Sequence, residues 1–255
     1  MTERLKLTAV VLRTIDHGES DRVVTLLCRG RGRLGAFARG ARASRKRFAG
    51  ALEPFTLLSV ELVGRPASDL WRLESASVER GFHGIRGDLA RIACAAYAAE
   101  LARELTRDHE PHDDLFDLLV AYLTRLDEAP ARPATLRAFE LAALAAAGYQ
   151  PRLDVCARCG APLPGGEVIF APGDGGPLCG GCAPLGGPGR LRLSAAGLEA
   201  LRRLQAGGLE AGETALAPAV GRECQEALER FLDHTLGHRL QARRFLDEVG
   251  PLLSE

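Results

Sequence analysis

Four cysteines stand in the spacing Cys156-Ala-Arg-Cys159, nineteen residues, Cys179-Gly-Gly-Cys182. Each C-x2-C pair can form a tight knuckle whose thiolates point at one ion, and two knuckles together close a tetrahedron with no open position for water. The glycines suit that geometry: Gly160 follows the first pair and Gly180 and Gly181 lie inside the second, where backbone N–H groups must turn back towards sulfur. Two disulfides or four idle thiols are the competing readings. A reducing compartment disfavours the first and the paired spacing disfavours the second, so the pattern predicts one structural zinc ion held by Cys156, Cys159, Cys179 and Cys182. With four protein ligands such an ion is architectural. Cys28, Cys94 and Cys224 fall in apolar contexts and are expected to be buried thiols.

A second chemistry is carried by charge. Between Arg22 and Leu52 nine basic residues (Arg22, Arg29, Arg31, Arg33, Arg39, Arg42, Arg45, Lys46 and Arg47) meet no acid, although the whole chain has a formal net charge of zero. Met1 to Gly87 hold sixteen Lys and Arg against nine Asp and Glu, so this part is positive by seven and the remainder negative by seven. A solvated surface mixes both signs because like charges repel, so this clustering predicts a polyanion partner for the first third of the chain. In a strand over "RLGAFAR" alternate side chains share a face. Arg33, Phe37 and Arg39 would line one side, an aromatic ring between two guanidinium groups, while Leu34, Ala36 and Ala38 face a core. That first set suits stacking a base and gripping adjoining phosphates, unless Phe37 turns inward at a bulge. Asn and Gln are missing from the basic segment, so base edges would go largely unread.

Other constellations carry less. "GRGRLG" at Gly30–Gly35 matches the dinucleotide fingerprint, but the following "AFARGARASRKRF" has no apolar helical stripe, so a basic hairpin turn is expected. His17, Ser20 and Asp21 crowd one turn, unlike triad members, which converge from distant segments. "DHEPHDD", with His109, His112, Asp113 and Asp114, lies between two predicted helices and is read as a loop with Asp113 near the next N-cap. No phosphate-binding loop of the G-x-x-x-x-G-K-[ST] type is present. Nothing in these motifs calls for an enzyme.

The elements that must position these groups follow from periodicity. Five short segments rich in β-branched and aromatic residues run up to residue 80: "LKLTAVVLRTI", "RVVTLL", "RLGAFARGA", "FTLLSVELVG" after Pro54 and "DLWRLESASV" after a Pro66 turn. Turns every ten or so residues leave no room for crossover helices, which predicts a five-stranded OB-type barrel. From Gly87 the period becomes helical. Asp88 and Ser194 are placed as N-caps and Gly148 as a helix-stopping residue. The expected fold is therefore α+β in two domains, an OB-fold β-barrel over 1–83 and an α-helical domain over 84–255 interrupted by a zinc knuckle over 153–190. The start "MTERLKLTAVVLRTI" lacks a signal-peptide block and no run approaches a membrane span, which predicts a cytoplasmic protein.

In combination, "VLRTIDHGESDRVVTLL", "GRLGAFARGAR", "LEPFTLLSVEL", the paired CxxC insertion and the tail "FLDHTLGHRLQARRFL" resemble the RecO family of bacterial recombination mediators over nearly the whole chain. The resemblance implies an OB domain, a helical domain with a zinc knuckle, and no catalytic activity. It implies binding of single- and double-stranded DNA, annealing of complementary strands, and work with RecR to load RecA onto DNA coated by single-stranded DNA-binding protein. It further implies a nucleoid-associated location and contact with the acidic tail of the coating protein. The DNA contacts are then expected at Arg31, Arg33, Phe37, Arg39, Arg42, Arg45, Lys46 and Arg47, and tail contacts at Arg239, Arg243 and Arg244. Many relatives have Lys-Ser where this chain has Gln241-Ala242. The rival reading is a zinc-ribbon RNA-binding or transcription-associated protein, whose knuckle itself would touch nucleic acid. Against it, the loop between the cysteine pairs carries Glu167 and Asp174 and no Lys or Arg.

Overall fold

In a computed structural model of the chain, residues 2–44, 47–48, 50–65, 69–185 and 189–249 are described. Arg45, Lys46 and the expected Pro66 turn lie outside the described residues. The chain divides into two compact units, Met1–Ala129 and Pro130–Glu255. No helix among the described residues is long and apolar enough to cross a membrane.

The first unit is built on a closed five-stranded barrel of order β1-β2-β3-β5-β4, the OB arrangement. Its strands are β1 (Glu3–His17), β2 (Asp21–Cys28), β3 (Gly32–Ala38), β4 (Leu57–Gly64) and β5 (Trp71–Arg80). The long first strand serves two neighbours: Glu3–Val10 pair with β4 and Ala9–His17 with β2, with a register shift between Val11 and Arg13 where the strand changes partner. The parallel contact of β3 with β5, Ala36 to Trp71 and Phe37 to Arg72, closes the barrel. Alternation fills it as the sequence predicts: Leu34, Ala36 and Ala38 join Val24, Leu26, Val60 and Leu73 in the core, and Phe48 is the anchor behind the basic loop.

Next come α1 (His83–Arg86), α2 (Leu89–Leu105) and α3 (Asp113–Glu128): α2 packs on β1, α1 and α3 pack on α2 and on each other, and Arg80 of β5 donates to Thr124 and Asp127 of α3. Asp88 caps α2 by accepting the Arg91 N–H at 3.0 Å. α2 is buried on most of its circumference because seven of its seventeen residues are alanine, which lets neighbours approach closely on several sides. Docking is fixed at the β2–β3 turn. Gly32 has φ +69°, and a Cβ there would sit 1.8 Å from the Glu110 carbonyl oxygen. The chain beyond α2 lies directly over this glycine, with the His109 N–H donating to the Arg33 carbonyl at 3.1 Å. The G-x-G-x-x-G match is thus a turn plus a backbone crossing, with no helix behind it among the described residues.

The second unit holds α4 (Pro133–Ala146), α5 (Ala195–Ala211), α6 (Pro218–Leu236) and α7 (Ala242–Val249). Ser194 caps α5 through the Gly197 N–H at 3.0 Å, and Gly148 takes φ +82° after α4, as expected. Gly208, at φ +55° and ψ −147°, kinks α5 near its end. The cysteine segment, which interrupts the helices as expected, also contains a three-stranded antiparallel sheet of order β7-β6-β8, from β6 (Val168–Ala171), β7 (Gly176–Leu178) and β8 (Leu191–Leu193). Phe170 of this sheet meets Phe231 of α6 at a ring-centroid distance of 6.2 Å.

Because Gly32 combines positive φ with contact to a carbonyl, Gly32→Ala should destabilise the first unit by at least about 2 kcal/mol. Gly30→Ala, at φ +72° but with nothing within 4 Å of its added Cβ, should cost only about 1 kcal/mol. Equal losses in denaturant melts would refute the crossing.

Candidate nucleic-acid interface and cysteine centre

The basic segment is divided between two ends of the barrel wall. At the β2–β3 turn the arginines are engaged internally. Arg29 forms a bidentate pair with Asp117 and lies 4.8 Å from the Phe116 ring centroid. Arg31 bonds Glu3 at 2.9 Å. Arg33 donates to Asp108 at 2.6 Å and to the Arg103 carbonyl at 2.5 Å, so it ties β3 to the end of α2. The Gly30 N–H donates to Asp113 at 2.6 Å; Asp113 therefore steadies this turn, while His112 holds the N-cap position of α3.

At the opposite end of β3 the guanidinium groups are far more open. Arg39 is exposed and makes no side-chain hydrogen bond among the described residues. Arg42 is exposed, donating to the Glu19 carbonyl at 3.2 Å and facing Asp16 at 3.9 Å. Arg47 is exposed, reaches the Arg39 carbonyl at 2.6 Å and lies 5.0 Å from the Phe48 ring centroid. The turn below them is pinned by Asp21, which accepts the Gly40 N–H at 2.7 Å. That N–H, foremost among its contacts, holds the Asp21 carboxyl below the usual carboxylate range, so the pin is kept above that range and lost as pH falls through the lowered value. Arg22 is not part of the open set; it bonds Asp16 and Glu53, each at 3.1 Å.

Phe37 points outward, half-buried and outside the barrel core, with His17 edge-on to it at 5.7 Å and 80°. Sequence reasoning passed over Arg72, which registers beside Phe37 through the parallel β3–β5 contact. Its side chain is 64% exposed, and among the described residues its ion pair is with Glu74 on its own strand. Alternation in "LWRLE" was the available signal, since Trp71 and Leu73 point inward and leave Arg72 outside.

In the second unit the sulfur atoms of Cys156, Cys159, Cys179 and Cys182 all lie within 4.8 Å of one another, and Cys159 and Cys179 are 3.7 Å apart. Both knuckles are backbone-built: Gly160 N–H donates to the Cys156 carbonyl at 2.8 Å, and Cys182 N–H to the Cys179 carbonyl at 3.0 Å. Gly160, at φ +74°, makes the first turn possible. The thiols differ sharply. Burial pushes Cys28 and Cys224 up to about 12. Burial acts the same way on Cys156, but N–H groups of Cys179, Cys159 and Arg158 aimed at its sulfur prevail and hold it down to about 6. Cys182 is pushed up to about 12 by sharing its proton with Cys159, by burial, and by Cys179 and Cys156. Four sulfurs gathered this closely could hold one metal ion, and four thiolate donors fit zinc.

Of the three tail arginines, Arg243 is buried against Glu229 and Asp247, while Arg239 faces Asp233 at 3.4 Å and Arg244 faces Glu248 at 3.2 Å. A separate cavity of about 160 Å³ brings Arg132, Arg137 and Arg222 together over walls that include Pro133, Ala134 and Leu216.

A closed OB barrel with an outward basic end, followed by a helical unit carrying a four-cysteine centre, defines a class of two-part protein suited to nucleic acid. Residues 1–82 match the family model described as Recombination protein O N terminal, and residues 86–244 match Recombination protein O C terminal. The chain is 68% identical over 252 residues to the DNA repair protein RecO of Anaeromyxobacter dehalogenans (strain 2CP-C), covering 98% of this chain and 99% of that one. It is 47% identical over 250 residues to the DNA repair protein RecO of Myxococcus xanthus (strain DK1622), covering 97% and 99%, and 39% identical over 258 residues to that of Roseiflexus sp. (strain RS-1), covering 99% and 89%. The chain belongs to the RecO family of DNA repair proteins.

Arg33 and Arg39 are separable by experiment. Arg33→Ala should lower stability by about 1–3 kcal/mol through two lost hydrogen bonds of a charged group. Arg39→Ala should stay within about 0.5 kcal/mol of the parent. Urea melts that rank the two the other way would overturn the division of the basic segment.

Proposed function

We propose that this chain is a non-enzymatic recombination mediator that binds single- and double-stranded DNA, anneals complementary strands and helps load RecA, with RecR, onto DNA coated by single-stranded DNA-binding protein. Family membership supports the reading, and one observation carries it for this chain: Arg39, Arg42 and Arg47 stand open at one end of β3, beside the outward Phe37. Annealing brings two polyanions together, so their repulsion must be screened while base edges remain free. Guanidinium groups that hold a strand by its phosphates meet both needs. We assign residues 1–83 as the DNA-binding domain, with contacts at Arg31, Arg33, Phe37, Arg39, Arg42, Arg45, Lys46 and Arg47. The open group of Arg39, Arg42 and Arg47 is the strongest part of that set; Arg31 and Arg33 reach DNA only after giving up acidic partners. Such a protein works in the cytoplasm on the nucleoid.

The four cysteines would hold one zinc ion, which would fix the geometry of a segment with little core of its own. For the acidic tail of the coating protein, Arg239, Arg243 and Arg244 are one candidate surface. A second candidate is the cavity lined by Arg132, Arg137 and Arg222, where Arg222 is exposed, Arg137 is paired with buried Glu140 at 3.2 Å, and Pro133, Ala134 and Leu216 supply apolar walls. In the zinc-ribbon alternative the knuckle would meet nucleic acid directly, yet Arg158 and Arg190 beside it both pair with Asp174.

Six phosphate contacts to a single strand would give a salt slope of about −4. Arg39→Glu with Arg42→Glu should weaken binding and shrink that slope by at least about 1.4. Unchanged binding and slope in anisotropy titrations would remove this end of the barrel from the interface. Protein prepared without added metal should contain about one zinc per chain by elemental analysis, and Cys159→Ser should lower that content; metal-free wild-type protein would refute the zinc site.

A further inference from the structure

Of the seven cysteines, all of them among the described residues, Cys159 alone is exposed; Cys179 and Cys182 are half-buried, and Cys28, Cys94, Cys156 and Cys224 are buried. The Cys159 sulfur lies 3.7 Å from that of Cys179, a residue of the other knuckle. A disulfide holds its sulfurs about 2.05 Å apart, so this pair has to close by roughly 1.6 Å.

The turns around both residues leave room for that movement. An added Cβ at Gly160, Gly180 or Gly181 would find nothing within 4 Å. Cys156 is set differently. Its N–H donates to the Ala161 carbonyl at 2.8 Å, the next N–H, of Ala157, donates to the Pro177 carbonyl at 2.8 Å, and its side chain packs with Ala171 and Leu178. An oxidant arriving from solvent therefore meets Cys159 first, and the sulfur free to join it is that of Cys179.

We infer that the cysteine centre is a site of reversible oxidation by peroxide, with Cys159 the attacked sulfur and Cys179 the resolving one. This rests on the zinc reading of the four cysteines given above. The Cys159 thiolate attacks one peroxide oxygen; the O–O bond breaks, hydroxide leaves and is protonated to water, and Cys159 becomes a sulfenic acid. The Cys179 thiolate then attacks that sulfur; the S–S bond forms, the S–O bond breaks, and a second hydroxide is protonated to water. Two thiolates have given up two electrons, the peroxide has accepted two, and two protons are consumed. Cys156 and Cys182 remain as only two ligands for an ion that structural sites hold with four, and they let it go.

The structural effect falls on one side of the centre. The new disulfide still ties the two knuckles together, whereas Cys182 loses its anchor. The Ala183 carbonyl next to it accepts from Arg190 at 2.7 Å, and the Arg190 carbonyl accepts from Arg230 of α6 at 2.8 Å. Oxidation therefore loosens the second knuckle and, through Arg190, its hold on α6.

The test treats the zinc-loaded full chain with hydrogen peroxide, follows zinc release with a chromophoric chelator and maps disulfides by mass spectrometry of non-reduced peptides. About one zinc should be released for each Cys159–Cys179 disulfide formed, and dithiothreitol with added zinc should restore the starting state. Amide exchange should quicken at Cys182 and Ala183 and stay unchanged in β1. Cys159→His keeps four ligands and should release zinc at least about tenfold more slowly than the parent, whereas Cys182→His, which retains both reacting sulfurs, should release it at close to the parent rate. Should Cys159→His fail to take up metal, the wild-type disulfide map decides alone. Zinc retained through peroxide treatment, or lost with any other pairing or with none, would overturn the assignment and leave the zinc reading standing. Wild-type protein without zinc before treatment would remove both.

Discussion

The approach of the Glu110 carbonyl to Gly32 is the constraint on which the first unit's arrangement depends. It requires a residue without a Cβ at positive φ at the entry to β3, and it brings the segment after α2 within reach of the β2–β3 turn. Once there, Asp108, Asp113 and Asp117 meet Arg33, the Gly30 N–H and Arg29 in turn. Three carboxylates from one short stretch therefore neutralise one end of a segment that has no acids of its own. The basic segment is left polarised: it docks helices at its beginning and is open at its end. Exposed ion pairs are individually weak, so the steric crossing sets the geometry and the charges follow it.

The cysteine centre plays the corresponding part in the second unit. Strands of three or four residues cannot hold themselves together. Here they are fixed from two sides, by the sulfur cluster and by α5 and α6. Phe170 packs on Phe231, Glu223 accepts from the Ser194 N–H and hydroxyl at 3.0 and 2.6 Å, and Arg202 donates to the Leu153 carbonyl at 3.0 Å. Gly176 admits the Arg152 carbonyl, which an added Cβ would approach to 2.3 Å. The depressed Cys156 thiol results from the same packing, because the N–H groups that turn towards its sulfur, those of Arg158, Cys159 and Cys179, belong to the two knuckles.

What was legible in the sequence had local causes. Alternation in β3 separated Leu34, Ala36 and Ala38 from Arg33 and Phe37, and short polar caps placed α2 and α5. Cysteine spacing brought together the four residues whose sulfurs cluster. What escaped was set by distant partners. β6 to β8 are too short and too rich in Gly and Pro to show a period, and α1 is a single turn. The acids that engage Arg29 and Arg33 lie 88 and 75 residues away, so a count of charges within the segment overstated how many stand open. Arg72 was missed because its place beside Phe37 comes from a parallel pairing of strands distant in sequence. Arg243 looked like part of a surface cluster, yet Glu229 draws it into the packing of α7.

Of the 33 basic residues, 31 are arginine, and this choice links the two uses of charge in the molecule. A guanidinium group can pair bidentately with a carboxylate, lie over a ring, or grip a phosphate with the same planar fork. Arg29 does the first two with Asp117 and Phe116; Arg158 pairs through two nitrogens with Asp174. Arg39 has the same fork and, among the described residues, no acid bonded to it. Residue type therefore does not distinguish paired from open arginines in this chain, and neither does local sequence. The distinction is made by which arginines the fold brings within reach of a carboxylate. A zero net charge is compatible with a strongly basic face because the balancing acids lie elsewhere in the chain: residues 88–255 hold 24 Asp and Glu against 17 Arg.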